Sequence, residues 1–261
     1  MILVTGGTGY IGSQVCRALG EKGIDYSILS RKNGPKCIKY DLLTGNQNEL
    51  KEILLDYSKI IHCAWFVDRS AYLHSPKNFD WVNGTLKLAN ALEDQGIQHF
   101  LSLGTCLEYK PSARIKKVTD PTEATSNYSL AKILTHSGLT HILKTKNIPL
   151  AWCRIFHLYG GREDCQRLFP SVKAALMKSE HMEVTNSNLK IDLSHIFSVA
   201  QDIIKVSEGY SGNFNLSSGN GGTIEEHVRQ HFPAPLIKKF ISFTPSSTMM
   251  NNLYGNRNVP L

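Results

Sequence analysis

Short apolar runs alternate with amphipathic stretches through the first 156 residues of the chain. The apolar runs have the length and composition of buried strands, and the stretches between them repeat apolar positions at helical spacing. The predicted strands are 1–4, 26–29, 37–40, 59–63, 99–103 and 150–156, and the predicted helices are 12–22, 48–56, 83–95 and 129–146. Alternation of this kind predicts an α/β fold with a doubly wound parallel sheet, covered by helices on both faces.

The regular alternation of strands and helices is not continued in the second half of the chain. The pattern predicts helices at 167–180 and 199–208 with a short strand at 182–185, whereas 209–222 is rich in Gly, Asn and Ser and 243–261 is polar and turn-like. We therefore predict a core formed by residues 1–155, to which 192–206 returns. Residues 156–261 then form a smaller C-terminal region.

Composition and charge exclude several classes of protein. Hydrophobic residues make up 41% and charged residues 20%, which is ordinary for a globular chain, and no apolar run has the length of a membrane span. The N-terminal apolar run is too short for a signal peptide, so we expect a cytoplasmic protein that does not bind membranes. The net charge is +7, but the basic residues are scattered without interleaved aromatic residues, so a small anionic ligand fits better than nucleic acid. The six cysteines form no C-x-x-C pair, and we expect no metal site.

A glycine-rich turn connects the first predicted strand to the first predicted helix. The sequence from Val4 to Ser13 is VTGGTGYIGS. In this reading Gly6 permits a tight turn, Gly9 lets the backbone approach a phosphate, and Gly12 lets the helix pack closely on the strand. The N–H groups that open the helix, beginning with those of Tyr10 and Ile11, then face the anion. The turn is therefore predicted to bind the pyrophosphate of a dinucleotide.

The T-G-x-x-G-x-x-G spacing resembles the short-chain dehydrogenase/reductase superfamily, and VTGGTGYIGS is similar to its extended, nucleotide-sugar-modifying branch. The resemblance implies a Rossmann-type core with a C-terminal substrate-binding region. Tyr128 and Lys132 match the Y-x-x-x-K signature of the superfamily. The spacing puts both side chains on one helical face, where the ammonium group is expected to lower the pKa of the phenol and to hold the nicotinamide ribose.

The resemblance also implies a catalytic hydroxyl at the end of the preceding strand. Thr105 matches it, with Ser102 as the alternative, and would hydrogen-bond to the reacting oxygen of the substrate. In related 4,6-dehydratases an Asp-Glu pair follows this hydroxyl directly. Cys106 and Leu107 occupy those positions here, which argues against dehydration.

The end of the second predicted strand bears on the choice of cofactor. Members of the superfamily that prefer NAD usually have an acidic residue there, but this chain has Ser30, Arg31 and Lys32, which suit a 2′-phosphate. We therefore favour NADP(H) over NAD(H). The resemblance adds two more segments to the cofactor site, the Asp41–Leu42 pair beside the adenine and Cys63–Ala64 in the segment that ends the fourth strand.

Three residues are matched to the substrate side of the family. His157 replaces an Asn that touches the sugar nucleotide, and Asn215 belongs to a segment that resembles an N-x-G-S-G turn. Ile191 stands where the family has an Arg for the nucleotide diphosphate, and Lys190 is predicted to substitute for it. Thr105 would also contact the substrate.

The resemblance, together with these features, implies an NADPH-dependent reductase of a 4-keto-6-deoxy nucleotide sugar, which would supply a deoxysugar donor for a surface polysaccharide such as lipopolysaccharide. Hydride would reach the keto carbon and Tyr128 would donate the proton. The alternatives are a 4-epimerase with bound NAD, a reductase of a ketone without a nucleotide, and a non-catalytic NADP-binding sensor. The predicted helices 83–95 and 129–146 are those that pair across a dimer in this family, so we expect a homodimer.

Overall fold

The computed structural model describes residues 1–68, 71–92, 96–247 and 252–260. Its strands are β1 (Ile2–Thr5), β2 (Tyr26–Ser30), β3 (Cys37–Lys39), β4 (Lys59–His62), β5 (His99–Thr105), β6 (Leu150–Ile155), β7 (His157–Tyr159), β8 (Met182–Thr185), β9 (Lys190–His195), β10 (Gly212–Leu216), β11 (Gly221–Thr223) and β12 (Ile241–Thr244). Its helices are α1 (Tyr10–Glu21), α2 (Gln47–Leu54), α3 (Lys77–Ala91), α4 (Asn127–Thr145), α5 (Leu168–Lys178), α6 (Ile196–Ser207), α7 (Ile224–His231) and α8 (Ala234–Phe240).

Seven parallel strands form the central sheet in the order β10-β6-β5-β4-β1-β2-β3. Successive side chains of β1 enter different cores: Val4 packs with α1 and α6 on one face, and Leu3 packs with α2, α3 and α4 on the other. Both side chains are fully buried, which is why the strand reads as a continuous apolar run rather than an alternating one. The predicted doubly wound Rossmann-type sheet is confirmed.

The carboxyl ends of the central strands form the edge that carries the candidate site. The structure extends β5 to Thr105, two residues beyond the predicted end at Leu103. The extension requires glycine at position 104, because the Cβ of any other residue would lie 2.4 Å from Nε1 of Trp152 and clash with it. Thr105 pairs with Ile155 in the sheet and also opens the 3-10 turn Cys106–Glu108.

The helix predicted at 83–95 begins six residues earlier than expected. α3 starts at Lys77, directly after Pro76, whose fixed φ suits the first turn of a helix. Residue 95, its predicted end, lies outside the described residues. α3 packs along α4, the two helices for which pairing across a dimer is predicted.

The second half is more ordered than the sequence pattern indicated. β10 lies in the segment rich in Gly, Asn and Ser, yet it forms an edge of the central sheet beside β6. The other strands of this half form a three-stranded sheet, β11-β9-β7, and a two-stranded sheet, β12-β8. α6 returns to the central sheet and packs against α1.

Candidate active site

The glycine-rich turn has the geometry of a phosphate cradle. Gly6 has a φ of +68°, and a Cβ there would lie 2.7 Å from the Cα of Ala64. A Cβ at Gly12 would lie 2.3 Å from the carbonyl oxygen of Gly6. α1 begins at Tyr10 and its N-cap residue, Gly9, provides no side-chain cap, so the first N–H groups of the helix are free for an anion. The predicted cofactor residues of this turn and of Cys63–Ala64 therefore lie together, and they fit a dinucleotide pyrophosphate.

The end of β2 carries positive charge beside this cradle. Ser30 is buried and its Oγ accepts a hydrogen bond from the backbone N–H of Lys32 (3.0 Å), while Arg31 and Lys32 are exposed. Within the described part of the chain, no ion pair joins either residue to a carboxylate. Asp41 instead organises its own turn by accepting a hydrogen bond from the N–H of Leu43 (2.9 Å), and Leu42 is buried.

The three predicted catalytic residues meet at the carboxyl end of β5. Tyr128 is the second residue of α4 and Lys132 lies one turn later. The hydroxyl of Thr105 lies within hydrogen-bonding reach of the Tyr128 side chain. Nζ of Lys132 donates to the carbonyl oxygen of Leu103 (2.7 Å). Ser102 is buried inside the strand, so the hydroxyl at the strand end belongs to Thr105.

The electrostatics of this group differ from the sequence-based expectation. Burial raises the pKa of Tyr128, opposed first by the hydrogen bond from Thr105. Burial also lowers the pKa of Lys132 to about 7, partly offset by the nearby carboxylate of Glu108. The predicted lowering of the Tyr128 pKa by Lys132 is not seen, because Nζ points to Leu103 and lies 6.0 Å from the centroid of the phenol ring. Tyr128 is thus a neutral phenol at pH 7.

The lowered pKa of Lys132 has a consequence for stability. Between about pH 7 and 10.5 the unfolded chain binds this proton more tightly than the folded protein does, so the free energy of unfolding should rise with pH across that window. Lys132→Met should lose this part of the slope, as measured by urea unfolding at several pH values. The matched control is Lys39→Met, at an exposed position of β3. Equal slopes in the wild type and Lys132→Met would contradict the lowered pKa.

Two functional features of the site were missed by sequence reasoning. The first is an aromatic cover formed by Trp65 and Tyr72. The Trp65 ring centroid lies 3.5 Å from Nζ of Lys132, and the Tyr72 ring meets the Tyr128 ring edge-on at 5.1 Å. The only signal in the sequence was a tryptophan directly after the Cys63–Ala64 segment.

The second missed feature is a buried ion pair behind Thr105. Oε1 of Glu108 accepts a hydrogen bond from the backbone N–H of Thr105 (2.8 Å), and Oε2 accepts from Nε of Arg154 (2.7 Å) and Nε1 of Trp152 (3.0 Å). Both members of the ion pair are buried. Glu108 is therefore committed to holding the strand end, which agrees with the argument against dehydration.

A cleft of about 400 Å³ opens in the C-terminal region between β7, β8, β9 and α5. His157, one of the predicted substrate residues, lines it, and burial lowers the pKa of His157 to about 4, so the ring is neutral. Ile191 and Leu193 of β9 also line the cleft. Because side chains alternate along a strand, Lys190 lies on the other face of β9 and does not line this cleft. Its predicted substitution for the family's Arg stays a prediction.

Asn215 lies apart from this cleft. Its Oδ1 accepts a hydrogen bond from the Tyr109 hydroxyl (2.6 Å), and its Nδ2 donates to the carbonyl oxygens of Lys116 (3.0 Å) and Asn256 (3.4 Å). The residue is fully buried. Both ends of its amide bond protein partners and no part of the residue is exposed, so the structure offers no accessible group there for a substrate.

The cradle and the cleft are joined by direct contacts. The Tyr10 hydroxyl donates to the carbonyl oxygen of Gly160 (3.0 Å), and the Arg167 guanidinium lies 5.3 Å from the centroid of the Tyr10 ring. Arg167 also forms an ion pair with Glu163 (3.0 Å). Both members of that pair line the cleft, so the cofactor turn and the cleft share one wall.

No cluster of three or more His, Cys, Asp or Glu side chains in the described residues could hold a metal ion. None of the helices found in those residues is both long and apolar enough to cross a membrane.

The parallel sheet, the glycine turn and the Tyr-Lys pair define the class: a Rossmann-type protein of the extended short-chain dehydrogenase/reductase superfamily. A model of the NAD dependent epimerase/dehydratase family matches residues 2–215. The chain therefore belongs to that family.

Solved structures agree with this fold. UDP-glucose 4-epimerase from Thermus thermophilus, in complex with NAD, has a TM-score of 0.78 and 19% identity, over 98% of this chain and 90% of that one. UDP-N-acetylglucosamine 4-epimerase from Methanobrevibacter ruminantium, in complex with UDP-N-acetylmuramic acid, has a TM-score of 0.82 and 19% identity, over 98% and 89%. A double mutant of dTDP-glucose 4,6-dehydratase from Streptomyces venezuelae, with NAD bound, has a TM-score of 0.79 and 18% identity, over 98% and 88%.

Proposed function

We propose that this protein is an NADPH-dependent reductase of a 4-keto-6-deoxy nucleotide sugar. The observation that carries the proposal is the meeting of Thr105, Tyr128 and Lys132 at the carboxyl end of β5, next to the β4 end that contacts the glycine turn. A hydroxyl, a phenol and an ammonium group in this arrangement suit proton transfer to a carbonyl oxygen. The cytoplasmic location, the homodimer and the role in surface polysaccharide synthesis remain predictions.

The protonation state of Tyr128 favours reduction over epimerisation. A reductase needs a proton donor at this position, and the raised pKa of Tyr128 keeps the phenol protonated at neutral pH. An epimerase of this type begins by removing a proton from the substrate hydroxyl, for which a phenol with a raised pKa is poorly prepared. The cationic end of β2 supports NADPH, the cofactor that a reductase would consume.

In the proposed mechanism, a reduced nicotinamide bound in this site supplies the hydride. Tyr128 donates its proton to the carbonyl oxygen of the substrate as negative charge develops there. The hydroxyl of Thr105 donates a hydrogen bond to the same oxygen and orients the carbonyl. Lys132 would hold the ribose next to the nicotinamide through the hydrogen-bond donors on its Nζ.

The cleft that adjoins the glycine turn supports a sugar nucleotide as the substrate class. Its lining includes β8 and apolar side chains of β9 on which a base can pack, and it includes the start of α5, whose N-cap residue, Arg167, makes no side-chain cap. Free N–H groups at a helix start and a guanidinium group are suited to a diphosphate. Because Glu163 already pairs with Arg167, a ketone without a nucleotide remains the second substrate class.

The deciding experiment is oxidation of NADPH, followed by its absorbance, with a panel of nucleotide-linked 4-keto-6-deoxy sugars and with matched ketones that lack the nucleotide. Turnover restricted to the nucleotide-linked compounds supports the proposal. Equal turnover of free ketones moves the substrate to the second class. Binding of NADPH without turnover of any of them favours the non-catalytic sensor.

The epimerase alternative is favoured by one observation, the presence of 4-epimerases among the solved structures of similar fold. It predicts interconversion of a UDP-linked 4-epimer pair with no added NADPH, through NAD that copurifies with the protein. Product analysis by chromatography distinguishes this from net reduction, since an epimerase leaves the total amount of reduced cofactor unchanged.

The cofactor preference leads to a separate prediction. Arg31→Ala should raise the Kd for NADPH roughly tenfold to a hundredfold and leave NADH binding unchanged, because a hydrogen-bonded charge on the 2′-phosphate is lost. Isothermal titration with both cofactors measures the effect. Lys22→Ala, at the far end of α1, is the matched control for loss of a positive charge. Equal weakening of both cofactors would contradict a role at the 2′-phosphate.

A further inference from the structure

The indole ring of Trp65 covers the ammonium group of Lys132. Nζ lies 3.5 Å from the ring centroid, a distance at which the face of a tryptophan attracts a cation strongly. Nζ also donates to the carbonyl oxygen of Leu103 (2.7 Å), and the residue as a whole is 4% exposed. The strand end and the indole therefore enclose the group that the proposed function assigns to the ribose.

Trp65 is fixed in this position by its own hydrogen bond. Its Nε1 donates to Oδ1 of Asn78 (2.9 Å) at the start of α3. Asn78 is fully buried, and its Nδ2 donates to the carbonyl oxygens of Tyr72 (2.5 Å) and Ser75 (2.9 Å). One buried amide thus ties the indole to the turn that precedes α3.

The same turn reaches the catalytic phenol. The backbone N–H of Tyr128 donates to the carbonyl oxygen of Leu73 (3.0 Å), and Nδ2 of Asn127 donates to that of His74 (2.6 Å). The rings of Trp65 and Tyr72 both meet the Tyr128 ring edge-on. A movement of the indole would therefore change the surroundings of the Tyr128 side chain, whose hydroxyl would donate the proton.

We propose that Trp65 is a specificity-determining residue of the dinucleotide site. Its indole covers Nζ of Lys132, the group that the nicotinamide ribose must contact. A complete dinucleotide displaces the indole, whereas a ligand that fills only the adenine end does not. The inference rests on the proposed function, because it assumes that Lys132 holds the ribose. Its effect is to oppose binding of the nicotinamide half, since the cation–π contact and the hydrogen bond to Asn78 are lost on displacement.

Two probes separate the halves of the cofactor: NADP⁺, and adenosine 2′,5′-bisphosphate, which lacks the nicotinamide ribose. The variant is Trp65→Leu, which removes the aromatic face and the indole N–H. The matched control is Trp81→Phe, at a partly buried position of α3 that packs against the core. Binding is measured by isothermal titration and by tryptophan fluorescence, and neither readout requires turnover.

Trp65→Leu should bind NADP⁺ roughly 5- to 20-fold more tightly than the wild type, with the affinity for the bisphosphate unchanged. NADP⁺ should change the fluorescence of the wild type and of Trp81→Phe, and the bisphosphate should not. In Trp65→Leu that change should be lost. Trp65→Phe, which keeps an aromatic face but loses the hydrogen bond, should be intermediate in affinity, and urea unfolding checks that each variant is folded.

NADP⁺ binding that is no tighter in Trp65→Leu, or a bisphosphate affinity that shifts by the same factor, overturns the inference while leaving the proposed function intact. A wild-type protein that binds neither NADP⁺ nor NAD⁺ overturns the proposed function and this inference with it. The two failures are therefore distinguishable by the first titration.

Discussion

Turnover by Tyr128→Phe should fall roughly 10²–10⁴-fold, the contribution typical of a positioned general acid. The phenylalanine keeps the ring between Trp65 and Tyr72 but removes the only proton that this position can give to the substrate oxygen. Because the lost interaction forms as charge develops, kcat should carry the effect and the affinity for NADPH should stay close to that of the wild type.

The matched control is Tyr210→Phe, which removes a phenol hydroxyl from an exposed tyrosine. Tyr210 lies beside His99, at the amino end of β5 and away from the site. Steady-state rates and NADPH titrations of the three proteins measure the two quantities separately. If Tyr128→Phe kept more than about a tenth of the wild-type rate, a proton from water or from Thr105 would suffice, and the assignment of Tyr128 as donor would fail.

The cofactor half of the site was predictable because its signals are local. A glycine turn between strand and helix fixes its own backbone, and a Tyr and a Lys four positions apart share a helical face wherever the helix lies. The order of strands then brought Thr105 to the same edge of the sheet. The fold class followed from the alternation of strands and helices, whereas the roles of Thr105, Tyr128 and Lys132 were assigned from motifs that resemble those of the superfamily.

The remaining parts of the site depend on contacts between distant segments. Nothing near Trp65 in the sequence indicates that its ring lies on Lys132, since the contact requires the turn before α3 to fold over α4. The motif alone does not decide between Lys190 and Ile191, because one position along a strand reverses the face that a side chain occupies. β10 was missed because only Phe214 and Leu216 in GNFNL are apolar. Both are buried in the structure, where β10 pairs with β6.

Glu108→Ala should destabilise the protein by about 3–5 kcal/mol, because it leaves the guanidinium of Arg154 buried without its counter-charge. Both side chains are nearly inaccessible, so solvent cannot replace the lost 2.7 Å ion pair. The change also removes the acceptors of the Trp152 indole N–H and of the Thr105 backbone N–H. Urea unfolding at neutral pH measures the loss of free energy.

The matched control is Glu225→Ala, which breaks an ion pair of the same length with Arg229 on the surface of α7 and should cost less than about 1 kcal/mol. The double variant Glu108→Leu with Arg154→Met should be more stable than Glu108→Ala, because it removes the stranded charge together with its partner. A Glu108→Ala cost as small as that of the surface pair would mean that water reaches Arg154. If instead the double variant regained stability but not turnover, the carboxylate would be a positioning residue, since the amide of Thr105 would still lack the acceptor that sets the strand end beside Tyr128.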